Sequence, residues 1–409
     1  MGLELKAGKS DMNILLLNAG SSSLKCTLME SAAGKVVARG LADWAGTETY
    51  YQYASPDGPA RSEKVSWRGH AKAVHRFVSD LQHVGAVDLT EQSALAAVGH
   101  RVVHGGPFTS SVRITPQIHS RIKELADLAP LHNPPSLETL AAAEEELPGV
   151  PHVAVFDTAF HATMLPEART YPVPASWTHD WGIRRFGFHG LSHAYCARRA
   201  AEMLQRPADD LRLVICHLGH GCSASAVRGG RCVDTTMGFT PLEGLMMATR
   251  SGSIDPSIVL HLQQRHGLTA EQIESALNRE SGLLGVSGIS ADMRQVLAAA
   301  REGHDQARLA LGIYTHRVRQ AIGALAVTMG GVDALVFTAG VGEHAREVRA
   351  SICVGLECLG LELDALANAS CPPDADVARP ESRGRILVIA TREDVTMLRE
   401  VIQVLGETR

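Results

Sequence analysis

Five side chains capable of chemistry stand in glycine- or proline-rich segments that follow apolar runs. They are Arg101 in "GHRVVHGG", His132 in "LAPLHNPPS", Asp157 in "FDTAFH", His189 in "RRFGFHGLSH" and Arg250 in "PLEGLMMATRSG". Each one alone is better explained as a surface charge or a hydrogen-bonded core histidine. Together, among Val, Leu, Phe and Pro, they are typical of a small-molecule site with an apolar floor and cationic walls. We therefore expect a small anionic substrate.

Three glycine turns, each directly after an apolar strand-like run, are the second chemical feature. They centre on Gly20, Gly219–Gly221 and Gly340–Gly342. Backbone N–H groups at such turns form concave anion sites, and a glycine lets a phosphate approach without a Cβ in the way. One such turn could equally be a plain hairpin, whereas three in one chain favour a nucleotide site. The donors that follow the first turn are Ser21, Ser22, Ser23 and Lys25.

Two other nucleotide motifs can be read in the chain. "GKS" at residues 8–10 resembles the end of a P-loop, but Leu3 stands where the first glycine is required. "TAGVGEHA" matches G-x-G-x-x-A from Gly340 to Ala345, and the acidic Glu362 follows about twenty residues later. This pattern keeps an NAD-dependent dehydrogenase as the alternative from a different class, although it explains neither of the other glycine turns.

Two groups of cysteine and histidine residues suggest zinc ligands, but their spacings do not match known zinc-binding motifs. "CHLGHGC" places Cys216, His217, His220 and Cys222 close together, but in no ordinary zinc-knuckle spacing. His189 and His193 have the spacing of a zincin helix, but glycine stands where the glutamate after the first histidine is needed. Neither pattern favours a zinc site.

Composition limits the class of protein. The 409 residues carry a formal charge of −5, which argues against nucleic acid or a membrane surface as partner. No apolar run approaches the roughly 20 residues of a membrane span, and the N-terminal segment lacks the apolar core of a secretory signal. The eight cysteines are scattered without a C-x-x-C pattern, so we expect reduced, mostly buried thiols and a cytoplasmic location.

The elements that must position these residues alternate between strand and helix, which predicts an α/β fold. The predicted strands are 13–17, 24–30, 35–41, 97–103, 153–156, 212–218, 223–227, 334–338 and 386–389. The predicted helices are 70–82, 136–147, 192–205, 269–280 and 394–405, with two more filling 292–329. Two segments, turning at Gly20 and Gly219, share one plan of three strands and two glycine turns. We interpret them as a duplicated β-β-β start, one copy in each domain.

Seven motifs in this order resemble the acetokinase family, the acetate kinases, over nearly the whole chain. They are "LNAGSSSLK", "GHRVVHGG", "APLHNPP", "VFDTAFH", "RRFGFHGLSH", "MGFTPLEGLMMATRSG" and "TAGVGE". The family belongs to the acetate and sugar kinase/heat-shock 70/actin superfamily. The resemblance implies two duplicated ribonuclease-H-like (actin-like ATPase) domains with an interdomain active-site cleft, and a homodimer. Residues 1–161, with 395–409 returning to them, would form the N-terminal domain, and 162–394 the C-terminal nucleotide-binding domain.

The activity that the resemblance implies is reversible transfer of the γ-phosphoryl group of ATP to acetate, giving acetyl phosphate and ADP. It implies Mg²⁺ as cofactor, with Mn²⁺ as substitute. A propionate or other short-chain acyl kinase is the alternative within the family, and a non-catalytic actin-like module is a third possibility. Because acetate is already ionised near neutral pH, we expect Asp157 to orient Arg101 or a metal-bound water rather than to remove a proton.

Matched motif by motif, the resemblance also implies site residues. The implied catalytic residues are Asp157, His189, Arg250 and His132. The implied substrate-binding residues are Arg101 for the carboxylate and Val103, Leu131, Phe188 and Pro241 around the methyl group. The implied nucleotide-binding residues are Lys25, Ser21, Ser23, His217, Leu218, Gly219, His220, Gly221, Asp292, Met293, Arg294, Gly340, Val341, Gly342, Glu343 and His344. The implied metal ligands are Asn18 and Glu393. His220 and His344 stand where the family usually has asparagine.

Overall fold

The structure, a computed structural model, describes residues 12–407 except 57, 59, 84–93 and 129–132. These residues divide into two compact units. The second unit is Phe160–Thr391, and the first contains the described residues up to Ala159 together with those from Arg392 onward. The sequence places the domain boundaries after residues 161 and 394, and those limits stay predictions.

The described strands, numbered along the chain, are β1 Asn13–Ala19, β2 Ser23–Glu30, β3 Val36–Asp43, β4 Thr49–Ala54, β5 Arg61–Val65, β6 Leu95–Val102, β7 Val112–Arg113, β8 His152–Phe156, β9 Arg212–Leu218, β10 Cys222–Arg228, β11 Arg231–Thr235, β12 Ala334–Thr338, β13 Ala375–Asp376 and β14 Arg385–Val388.

The described α-helices are α1 His70–His83, α2 Pro116–Glu124, α3 Asn133–Glu146, α4 Pro166–Arg169, α5 Ala175–Trp181, α6 Gly190–Leu204, α7 Ser257–His266, α8 Ala270–Arg279, α9 Gly282–Ser287, α10 Met293–Arg301, α11 Asp305–Thr328, α12 Ala339–His344, α13 Arg346–Cys353, α14 Ala365–Ala369 and α15 Glu393–Glu407. The short 3₁₀ helices are Leu125–Leu128, Asp157–Thr163, Ala208–Asp210 and Leu356–Leu359.

The first unit is built on one sheet with strand order β5-β4-β3-β2-β1-β6-β8-β7. Strands β1 to β5 pair antiparallel in succession, whereas β1, β6 and β8 run parallel. The apolar run of β1 follows from its central place, because a strand covered on both faces has no side chain in water. Leu15 and Leu17 pack in the cluster that contains Phe77 of α1. Gly99 of β6 is required where α15 crosses the other face, since a Cβ there would lie 2.7 Å from Val401.

The second unit repeats this arrangement. Its sheet has the order β11-β10-β9-β12-β14-β13, with β9 to β11 antiparallel and β9, β12 and β14 parallel. In each unit, therefore, the first strand of an antiparallel meander is also followed in the sheet by two parallel strands; the meander has five strands in the first unit and three in the second. This confirms the predicted duplicated α/β fold. It also differs from the all-parallel sheet of a dinucleotide-binding domain, to which the dehydrogenase alternative belongs.

The nine predicted strands are present with ends shifted by at most a few residues, but the sequence analysis missed β4, β5 and the two-residue strands β7 and β13. The sequence predicts strand β11 only as the third strand of the second meander. In β4 buried and exposed residues alternate, whereas four of the five residues of β5 are exposed and the strand carries three charges. A charged edge strand protects the sheet against further pairing but leaves no apolar periodicity to detect.

All eight cysteines lie in the described part of the chain, and none forms a disulfide. Six are buried, Cys371 is half-buried and Cys358 is exposed. Among the described residues no helix is both long and apolar enough to cross a membrane.

Candidate active site

Four predicted site residues of the first unit meet at one edge of its sheet. Asn18 is near the end of β1, Arg101 near the end of β6, and Asp157 directly follows β8. Because these strands are adjacent and parallel, their carboxyl ends lie together. Glu393, the first residue of α15, joins them from the end of the chain.

The guanidinium of Arg101 is fixed by three charged or polar neighbours. Its Nε and Nη2 donate to the two carboxylate oxygens of Asp157 at 3.1 and 2.6 Å, and its Nη1 donates to Asn18 Oδ1 at 3.0 Å. Glu393 Oε2 lies 3.8 Å from Nη1. These hydrogen bonds engage three of the five guanidinium N–H donors, so two remain for an anionic ligand.

The charges at this edge stabilise one another. Burial lowers the pKa of Arg101, but the carboxylates of Asp157 and Glu393 outweigh burial and leave that pKa raised. The Asp157 side chain is 0% exposed, and it forms an ion pair with Arg101. A buried bidentate pair of this kind orients the guanidinium strongly, since movement of either group would leave a buried charge without its partner.

The donor chemistry beside Arg101 fits a hard divalent cation. Glu393 supplies carboxylate oxygens, the ligands that Mg²⁺ prefers when substrate phosphates complete its shell. Asn18 Nδ2 donates to Glu393 Oε2 at 3.0 Å. Since the Asn18 oxygen is bound to Arg101 in this arrangement, the amide orients Glu393, and it would have to turn over to become a ligand itself.

The first glycine turn lies between β1 and β2, as predicted. Gly20 N donates to Ser23 O at 2.8 Å, and its carbonyl contacts His70 Nε2 at 2.8 Å, which fixes the turn to α1. Lys25 is paired with Asn18 across the strands and is exposed. The turn therefore leaves Ser21 and Lys25 at the surface beside the carboxyl end of β1.

In the second unit His189 and His217 stack on each other. Their ring centroids are 4.2 Å apart, with 21° between the ring planes. His189 precedes α6 with φ 58°, a left-handed conformation that is unusual for a side chain with a Cβ. Nδ1 of His189 is 3.0 Å from Ser223 Oγ, and His193 Nε2 is 2.8 Å from the same oxygen.

Arg250 and His189 converge on the second glycine turn. A Cβ on Gly221 would lie 3.2 Å from Nε2 of His189 and 3.8 Å from Nη1 of Arg250. Arg250 Nη1 donates to the carbonyl of Pro241 at 3.3 Å, and burial lowers the pKa of this arginine. Desolvation and the neighbouring Arg250 charge lower the pKa of His220. The turn is thus surrounded by donors of hydrogen bonds to an anion.

The second and third glycine turns are neighbours because β9 and β12 are adjacent parallel strands. Thr338 pairs with His217 at their ends, and a Cβ on Gly219 would be 3.6 Å from Ala339. Ala339, the first residue of α12, has φ 65°. Glu343 Oε1 accepts from its amide at 2.9 Å and fixes this strained turn.

A buried arginine that the sequence analysis missed donates hydrogen bonds to backbone carbonyls of α12. Arg349 is 2% exposed, and its Nη1 donates to the carbonyls of Gly342 at 2.9 Å and Glu343 at 2.7 Å. Its other nitrogens bind Asn368. The sequence offered no signal for this role, because Arg349 stands in an ordinary amphipathic helix pattern.

The remaining predicted nucleotide residues lie on α10. Asp292 caps the helix, accepting from the amide of Arg294 at 2.9 Å, and also pairs with the exposed Arg294 side chain. Met293 between them is buried.

The predicted pocket walls belong to different units. Val103 is buried in the first unit, and Phe188 in the second, where Pro241 is half-buried. Leu131 and His132 lie outside the described residues.

A sequence model of the acetokinase family matches residues 13–399 of this chain. The chain is 45% identical over 403 residues to the acetate kinase of Cyanothece sp., covering 96% of this chain and 98% of that protein. It resembles the crystal structure of Porphyromonas gingivalis acetate kinase with TM-score 0.88 and 38% identity, over 96% of this chain and 100% of that one. A propionate kinase from Francisella tularensis matches with TM-score 0.87 and 37% identity, over 95% of this chain and 98% of that one.

Proposed function

This chain belongs to the acetokinase family, and we propose that it catalyses reversible transfer of the γ-phosphoryl group of ATP to acetate, giving acetyl phosphate and ADP. It is a kinase whose acceptor is a carboxyl group. The structural observation that carries the proposal is the Arg101 guanidinium, held by Asp157 and Asn18 with two N–H donors left over. A planar pair of donors matches a carboxylate.

The reaction brings two anions together, and this determines what the protein must supply. Two unit charges about 4 Å apart repel by roughly 1 kcal/mol in water and about 4 kcal/mol at an effective dielectric constant of 20. Acetate is ionised at neutral pH, so it attacks without a general base. Arg101 binds and neutralises it, while Arg250 and the imidazole of His189 stabilise the charge on the transferring phosphoryl group.

Asp157 acts through Arg101. Its two oxygens bind Nε and Nη2 side by side, so the guanidinium cannot rotate. This geometry supports the orienting role over proton transfer, because the carboxylate is fully buried and already bound to a cation.

A kinase of this family uses ATP with a divalent metal ion, and we propose Mg²⁺, with Mn²⁺ able to replace it. Glu393 would hold the ion together with Asn18 after rotation of its amide. When bound, the ion neutralises phosphate charge in the transition state. On the nucleotide side we propose the turn residues Ser21, Ser23 and Lys25 and the segments 217–221, 292–294 and 340–344.

Propionate is the second candidate acceptor, because the similarity to a propionate kinase nearly equals that to an acetate kinase. An apolar pocket separates the two acids by only about 1–3 kcal/mol per methylene. Val103, Phe188, Pro241 and Leu131 are the proposed walls. Trapping the acyl phosphate as a hydroxamate with acetate, propionate and butyrate, over several nucleotide donors, measures this preference.

Two arginine substitutions test the proposal. We expect Arg101→Ala to raise KM for acetate about 10- to 100-fold, since charged hydrogen bonds to the substrate are lost. We expect Arg250→Ala to lower kcat on the order of 10³-fold with a smaller change in KM. Hydroxamate kinetics with acetate and ATP give both constants.

Arg101→Lys accompanies the alanine variant, because it keeps a charge beside Asp157, and circular dichroism verifies folding. Arg61→Ala on the exposed edge strand β5 is the control. Absence of acyl phosphate formation by the wild type, or equal small effects of the Arg101 and Arg250 substitutions, contradicts the proposal.

A further inference from the structure

The stacked imidazoles of His189 and His217 are held in the same way. Nδ1 of His189 contacts Ser223 Oγ at 3.0 Å, and Nδ1 of His217 contacts Ser192 Oγ at 2.8 Å. Both Nε2 atoms face the glycine turn: a Cβ on Gly221 would be 3.2 Å from that of His189, and one on Gly219 would be 3.8 Å from that of His217. Each serine accepts from a further partner, which leaves the serine hydrogen for the ring.

The bond direction at Ser192 is set by Thr391. The Thr391 hydroxyl donates to Ser192 Oγ at 2.8 Å. That bond occupies one lone pair of Ser192 and leaves its own hydrogen for the lone pair of Nδ1 of His217. A neutral imidazole that accepts at Nδ1 carries its proton on Nε2.

The bond direction at Ser223 is set by His193. This histidine is fully buried, and burial holds its pKa well below the usual range, so it is neutral. Among the described residues its Nδ1 has no hydrogen-bond partner. Because a buried N–H without an acceptor is rare, the proton sits on Nε2 and is donated to Ser223 at 2.8 Å. The hydrogen of Ser223 is then left for Nδ1 of His189, and this arrangement puts the proton of His189 on Nε2 as well.

We propose that Ser223 with His193, and Ser192 with Thr391, are positioning residues that fix His189 and His217 as neutral Nε2–H donors toward the turn Gly219–Gly221. There the two N–H groups bind oxygens of the phosphoryl group, a step that rests on the proposed kinase function. A neutral pair suits the stacking, since two imidazolium rings 4.2 Å apart would repel each other. The positive charge at the turn comes from Arg250.

Histidine tautomers are measured directly by long-range ¹⁵N–¹H NMR of the full chain labelled with ¹⁵N-histidine, without ligand. His189→Gln and His217→Gln assign the two rings. We expect both rings to be protonated at Nε2 and not at Nδ1. We expect Ser223→Ala to abolish this preference at His189 and Thr391→Val to weaken it at His217. A proton on Nδ1 of either ring in the wild type, or unchanged tautomers in both variants, overturns the proposal.

Kinetics give the functional measurement. Removing a hydrogen bond that orients a reactive group typically costs 10- to 100-fold, so we expect Ser223→Ala to lower kcat by that factor with KM for acetate unchanged. Ser225→Ala is the matched control, because Ser225 is buried in the same strand but contacts Thr235 at 2.9 Å instead of a histidine. His193→Gln, which keeps an amide donor, should retain more activity than His193→Leu.

An equal loss of kcat in Ser223→Ala and Ser225→Ala would reduce Ser223 to a structural role and overturn the proposal. The NMR result does not depend on turnover. Expected tautomers in a chain without acetate-dependent turnover would therefore refute the kinase function while leaving the relay in place.

Discussion

Two carboxylates stabilise the charge of the half-buried Arg101 side chain. Asp157, which is 0% exposed, forms an ion pair with its Nη2, and Glu393 Oε2 lies 3.8 Å from its Nη1. Removing one partner of a buried pair is costly, about 3–5 kcal/mol, because the remaining charge is then left without compensation. Arg101 therefore contributes both to substrate binding and to stability. For this reason the kinetic test includes Arg101→Lys, which keeps the charge beside Asp157, as well as Arg101→Ala.

A second buried pair, His100 and His152, makes stability depend on pH. His100 Nε2 and His152 Nδ1 are 2.8 Å apart on neighbouring strands β6 and β8. Burial lowers the pKa of His152 to about 4, and burial together with His152 lowers that of His100 well below its usual range. Both rings are neutral in the folded protein.

Acid should therefore destabilise the first unit through this pair. The unfolded chain binds a proton near pH 6.5 and the folded chain near pH 4, so stability falls as pH decreases between these values. For His152 alone the loss from pH 7.5 to pH 5 is about 2 kcal/mol. We expect urea unfolding of His152→Asn to show that the free energy of unfolding falls by about 2 kcal/mol less than in the wild type between pH 7.5 and pH 5. The same exchange at exposed His75 is the control, and an unchanged pH dependence of His152→Asn would contradict this account.

At the scale of elements, the residue before α6, His189, has a strained backbone conformation that orients its imidazole ring. His189 has φ 58° immediately before the helix, a conformation that costs a residue with a Cβ about 1–2 kcal/mol. The left-handed residue turns the imidazole back toward Ser223 and Gly221 instead of along the helix. The conformation that places the His189 ring at the site therefore lowers the stability of the start of α6.

This strain predicts opposite effects of two glycine substitutions. We expect His189→Gly to unfold with a free energy about 1 kcal/mol higher than His189→Ala, since only glycine adopts the left-handed conformation freely. Both variants should lose kcat. Ala201→Gly, inside the same helix, should lower stability by about 1 kcal/mol. Denaturant titration measures all three, and equal stabilities of His189→Gly and His189→Ala would show that the residue is not strained.

At the scale of the whole molecule, helix α7 carries apolar residues that the single chain leaves uncovered. None of its residues is buried, although its sequence begins "SIVLHL". Ile258 and Leu260 are 44% and 55% exposed. A helix with so many apolar residues is usually buried against another element. The homodimer that the family resemblance implies would supply such an element, and we propose that a second copy covers α7.

The dimer prediction is tested by mass. We expect the wild type to have about twice the 43.7 kDa of one chain in light scattering after size-exclusion chromatography. Ile258→Glu combined with Leu260→Glu should shift it to the mass of one chain. Leu366→Glu, at an 84% exposed site on α14, is the control. A monomeric wild type, or a dimer that tolerates both α7 substitutions, contradicts the prediction.

The sequence by itself determined nine of the strands and the duplication, and it singled out Arg101, Asp157, His189 and Arg250 as residues that could do chemistry. Apolar runs such as that of β1 and turn glycines such as Gly20 and Gly219 are local signals, and they could be read without knowing what lies beside them. Only the tertiary structure decided which side chains pair. Ser223 and His193, or Arg349 and Gly342, meet through sheet register and helix packing. A lone serine in a strand or an arginine in an amphipathic helix carries no sign of its partner, because hydrogen bonds between distant segments depend on geometry that exists only after folding.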